Sequence, residues 1–115
     1  MFKKYELTLN RVHDTVVVKE GGERLPLVVN GDAMRMVAGL NIAQKKMLEL
    51  KDETPDDEVK EVAEYFAAVI FGPEQAKKLM AFYADDPACV INVCATYFRE
   101  RLAGKIADVQ KKMKV

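Results

Sequence analysis

The chain reads as an α+β protein, with a small N-terminal antiparallel β-meander or hairpin packed on a body of about four α-helices. Three observations lead there. Apolar and polar residues alternate through much of the first thirty positions, broken by a Gly21-Gly22 pair. From about residue 31 the apolar residues recur every three or four positions instead. Pro55, Pro73 and Pro87, three of the four prolines, stand where such a stripe begins. Proline suits the first helical turn because its φ is already fixed there and its missing N–H has no helical partner to lose.

The β region is expected to hold three strands. Tyr5, Leu7 and Leu9 alternate with Lys4, Glu6 and Thr8, the pattern of a strand with one wet face. Asn10 to Asp14 is expected to turn the chain. Thr15-Val16-Val17-Val18-Lys19 and Leu25-Pro26-Leu27-Val28-Val29 are then joined across Glu20-Gly21-Gly22-Glu23. Glycine reaches positive φ without strain, so this join reads as a hairpin. Pro26 cannot donate to a ladder, which puts its strand at an edge. So small a sheet needs a second layer to be stable.

Helices supply that layer. Asp32 is expected to cap a first helix running to about Leu50, with Met36, Leu40, Ala43, Met47 and Leu50 on one stripe. Thr54 is expected to cap a second, whose apolar face is Val59, Val62, Ala63, Phe66 and Ile70 and which Gly72 stops. A short third helix runs from Pro73 to about Ala84, with Ala76, Leu79, Met80 and Tyr83 on one side. Asp85-Asp86-Pro87 opens the longest, whose stripe of Ile91, Cys94, Phe98, Leu102, Ile106, Val109 and Met113 reaches almost to the end of the chain. A helix of that length spans roughly 40 Å, against about 30 Å across a compact domain of this size. Its far end therefore meets another chain, folds back or stays loose. The 115 residues form one domain, with 1–30 the β-meander and 31–115 the helical body.

Charge is balanced overall, which argues against bulk attraction to nucleic acid or anionic lipid. It is not evenly spread. Residues 44–64 carry four lysines against eight acidic side chains, and 99–115 carry six basic against two acidic. Two solvated faces that pair within the chain explain this; a head-to-tail contact between copies is the sharper reading. No apolar run is long enough to span a bilayer, and the start Met1-Phe2-Lys3-Lys4 lacks the apolar core of a signal peptide. Cys89 and Cys94, five apart on a helix, lie roughly 7.5 Å apart along its axis, beyond disulfide reach. Two unpaired cysteines fit a reducing cytoplasm.

The parts of a catalytic site are missing from the sequence. There is one histidine, His13, and the cysteines lack the paired spacing of a zinc site. There is no serine, and neither cysteine has an activating partner nearby in sequence. Asp56-Asp57 and Asp85-Asp86 sit beside prolines, where helix capping explains them more cheaply than acid–base work. A helix-turn-helix over 73–101 would put an apolar stretch, Pro87 to Val93, where recognition residues usually cluster. The chain therefore reads as a non-enzyme without cofactor, metal, nucleic-acid partner or membrane. Apolar material is in surplus, however. Aromatic residues crowd positions 66–98, and Met34, Phe71 and Phe82 lie off or at the edge of the stripes, as residues at a protein-binding surface do.

The layout resembles the small tail assembly chaperones of long-tailed bacteriophages and prophages. The resemblance rests on the β start, the helical body, the junction Phe71-Gly72-Pro73-Glu74-Gln75-Ala76 followed by Leu79, and the long basic C-terminal helix. It implies a non-catalytic protein of the host cytoplasm that binds the tape measure and tail tube proteins during tail assembly and self-associates. A client would be held by helix-in-groove contacts, for which Phe71, Leu79, Met80, Phe82 and Tyr83 are the candidate residues. Two other classes stay open. One is a structural homo-oligomer, which would remain in a finished particle where a chaperone would not; the other is a small regulator binding DNA or protein.

Overall fold

The computed structural model describes residues 11–113, without the side chains of 109, 110, 112 and 113. An antiparallel hairpin is followed by a helical body, the α+β arrangement expected. Strands β1 (Arg11–Glu20) and β2 (Glu23–Asp32) pair from Arg11 opposite Asp32 to Glu20 opposite Glu23. Gly21 turns the chain at φ +61°. Both strands are longer than expected. Residues 11–14 continue β1 rather than turning, because Val12 and Asp14 extend the inward row of Val16 and Val18; Val12 is fully buried. The strand expected over Tyr5 to Leu9 lies outside the described residues.

Four helical runs follow. Helix α1 (Ala33–Leu48) begins where Asp32 accepts a hydrogen bond from the Met34 N–H at 2.8 Å, the cap expected. Helix α2 (Asp56–Phe71) is not capped by Thr54. That hydroxyl points back along the chain and accepts from the Lys51 N–H at 2.8 Å, closing the preceding turn, and Pro55 takes the cap position. Gly72, at φ +89°, ends α2 and opens α3 (Pro73–Phe82): its N–H donates to Ala68 and its carbonyl accepts from Ala76. Ala84 and Asp85 take left-handed φ, which stops α3 two residues short of the expected end. Asp86 then caps α4 (Pro87–Tyr97) through the Ala88 N–H.

The last helix is helical throughout, as expected, but not uniform. A π-turn over Phe98–Leu102 separates α4 from α5 (Ala103–Met113). Its buried residues are Val90, Cys94, Tyr97, Leu102 and Ile106, at spacings of four, three, five and four. The five-residue step is the π-turn, which absorbs one extra residue. It puts Tyr97 in the core where Phe98 was expected; Ile91 and Phe98 are half-buried, and Val109 and Met113 fall outside the described side chains.

Helix α2 is central, packed by α1, α3, α4 and β2. Gly39 lets α1 approach it closely, since a Cβ there would stand 3.0 Å from two Val69 methyls. Every buried side chain among the described residues is apolar or aromatic. The molecule is elongated, 62 × 33 × 21 Å, with a Cα radius of gyration of 16.3 Å against about 13 Å for a compact domain of this length.

Candidate functional site

Three of the five residues expected at a client surface belong to the core. Phe71, Leu79 and Met80 are 5%, 0% and 7% exposed. Phe71 packs its ring on Tyr97 at 5.9 Å, and Phe82 and Tyr83, half-buried, meet edge to face at 5.1 Å. The chain folds back at Gly72, so α3 covers the end of α2 and its apolar side becomes interior. Only Phe82 and Tyr83 of the five reach the surface appreciably. Met34, off its stripe, is indeed exposed.

The structure opens an apolar groove elsewhere, beside the π-turn. Leu40 and Met47 of α1, Phe66 of α2 and Phe98 line about 310 Å³, with Gln44 and Arg99 at the rim. Ala95, Phe98, Arg99 and Ala103, in or beside the π-turn, form its other side. Tyr97 takes the core position against Phe71, and the adjacent half-buried Phe98 lines the groove with residues of α1 and α2. A groove of this volume accepts two or three aliphatic side chains, the size of an i, i+4 pair on a helix. The sequence holds the ingredients, Met47 and Phe98 on stripes at their spacings, but not the one-residue shift that the π-turn introduces.

Besides a long hydrogen bond from the Lys105 ammonium to the Arg11 carbonyl at 3.4 Å, polar groups tie the hairpin to the helices at two points. Gln75 of α3 behaves as a one-residue strand against the outer edge of β2. Its amide accepts from the Val28 N–H and donates to the Val28 carbonyl, both at 2.7 Å, and donates to the Phe71 carbonyl at 2.6 Å. Outward backbone groups alternate along a strand, so Pro26 lies on the same edge as Val28 and its missing N–H costs no ladder bond. At the second point Asp14 accepts from the Tyr97 hydroxyl at 2.7 Å and from Arg101 at 3.2 and 3.1 Å. These hydrogen bonds, Arg101 first, hold the Asp14 carboxyl below the usual carboxylate range.

The other shifts run the same way, away from neutrality. Burial pushes the Cys94 thiol up to about 12, and desolvation raises Tyr97 and, with Asp86 beside it, Cys89. Each group is held in its resting form near pH 7, whereas acid–base or nucleophilic work requires a group poised near the operating pH. His13 lies exposed on the outward face of β1, opposite Asn30. Among the described residues no three His, Cys, Asp or Glu side chains lie close enough to hold a metal ion, and no helix is long and apolar enough to cross a membrane. No family model, curated protein or solved structure matches the chain.

Proposed function

We propose that this chain is a non-catalytic assembly chaperone of the long-tailed phage type, which binds apolar helical segments of tape measure and tail tube proteins. The groove at the π-turn carries the reading. It is apolar on its walls and polar at its rim, the profile that receives the apolar stripe of an amphipathic helix. Met47 adds a flexible thioether that adapts to differing clients. The layout described above, with its Phe71-Gly72-Pro73 junction, supplies the client class.

Co-expression with a tape measure protein tests this. Met47→Glu sets a charge in the groove at a half-buried position, where the helix persists. The wild-type chain keeps the client in the soluble fraction. The variant, soluble and with unchanged far-ultraviolet circular dichroism, leaves it in the pellet. A client kept equally soluble by the variant would remove the groove from the account.

A further inference from the structure

Helix α1 carries a second stripe that nothing in the described chain covers. Met34, Ala38, Asn41, Lys45 and Leu48 follow one another at spacings of four, three, four and three, the seam of a coiled coil. All five are exposed, Met34 at 51% and Leu48 at 80%. Beside the seam runs a seven-residue row of Arg35, Ile42 and Glu49, also exposed, with Ile42 at 47%. Three of the five large apolar side chains exposed among the described residues therefore lie on one face of one helix.

That face is complementary to itself. We infer that it is the contact between two copies of this chain, with α1 packed antiparallel on α1 about a two-fold axis near Asn41 and Ile42. The flanking row decides the partner. In an antiparallel pair a flanking position meets the same row of the other helix in reverse order. Arg35 then faces Glu49 of the second copy, Ile42 faces Ile42, and Glu49 faces Arg35. Two opposite-charge pairs bracket an apolar one. A parallel pair would instead set this row against the other flank, Ile42 beside Val37 and Glu49 beside Gln44, so neither charge would meet an opposite one.

The seam closes within two residues of that register, about 3 Å along the axis. Met34 lies against Leu48 of the second copy at both ends. The two Asn41 side chains meet at the centre, where carboxamides pair with each other. Lys45 lies along the small Ala38, its stem covering apolar surface and its ammonium leaving to solvent. The ion pair among the described residues joins Arg101 to Asp14, and neither Arg35 nor Glu49 takes part in it. The 16 residues of α1 give a contact about 24 Å long. The groove lies on the opposite side of α1, so a client and a second copy do not compete, and this contact stands whether or not the chaperone reading does.

Sedimentation of the full chain from micromolar to several hundred micromolar tests it. The wild type reaches the mass of two chains as concentration rises. Leu48→Glu places a carboxylate in the seam at a position exposed enough to spare the fold, and it sediments as one chain throughout. Arg35→Glu turns both flanking attractions into repulsions and weakens association about ten-fold. The exchange Arg35→Glu with Glu49→Arg restores it. A wild type that stays a single chain overturns the proposal, as it would if residues 1–10 or another protein covered this face. So does an assembly indifferent to Leu48→Glu, or one that the charge exchange fails to restore.

Discussion

The two faces of α1 are written in the same periodicity and have opposite fates. Met36, Leu40, Ala43 and Met47 recur at four, three and four, and so do Met34, Ala38, Asn41 and Lys45, two residues earlier. The first set lies against β2, α2 and α5, with Met36, Leu40 and Ala43 buried; the second is exposed. Spacing announces a face that is able to pack. Whether the chain itself covers that face depends on what else folds against it. The inner stripe is the more apolar and is met by three elements, so it stabilises the fold, while the outer one stays exposed among the described residues.

Substitutions widen or close this contrast. The largest effect is expected inside. Leu40→Ala empties a site 6% exposed and costs about 2–5 kcal/mol in urea unfolding. Leu48→Ala, on the outer face, shifts the same curve by less than about 0.5 kcal/mol when the protein is dilute enough to be single chains. Comparable losses at the two positions would break the contrast. Gln75→Ala comes next. It removes the amide that pairs with Val28 and costs about 1 kcal/mol. Gln75→Glu costs more, because a carboxylate then faces the Val28 and Phe71 carbonyls with no hydrogen to donate.

The smallest effect depends on pH. Asp14 has its folded pKa lowered by Arg101 and Tyr97, so its contribution is complete above the unfolded value near 4 and is lost as pH falls through the folded one. Thermal melts of the wild type and Asp14→Asn should differ by a constant margin at neutral pH and converge below about pH 4. A margin undiminished at pH 2 would mean that Asp14 holds the hairpin by something other than its charge.

Much of the fold was legible in the sequence, and the reasons differ by element. Asp32, Gly21, Gly72 and Pro73 act through local backbone chemistry, which needs no tertiary knowledge, and they do as expected. Thr54 shows the limit of the same reasoning. Its hydroxyl had two backbone donors to choose between, and it took the Lys51 N–H behind it rather than the helix ahead. The π-turn was hidden because Tyr97 and Phe98 are adjacent aromatics, either of which continues the stripe; only the packing against Phe71 and Asp14 selects Tyr97. Phe98, the neighbour left out of the core, lines the groove. The residues first favoured for a client surface went the other way, since Phe71, Leu79 and Met80 are drawn inside by the fold-back at Gly72. The tie between Gln75 and Val28 spans 47 residues and left no periodic trace.

The proposed reverse pairing of two α1 faces sets Met34 of one copy beside Leu48 of the other. Within one chain Met34 and Leu48 lie about 21 Å apart along the helix, too far for a nuclear Overhauser effect. The decisive measurement is an isotope-filtered experiment on a mixture of labelled and unlabelled chains, at a concentration where the two-chain mass prevails. The account predicts a cross-peak between the Met34 methyl of one chain and the Leu48 methyls of the other. A two-chain species that shows Met34 against Met34, or no contact from either residue, would contradict it.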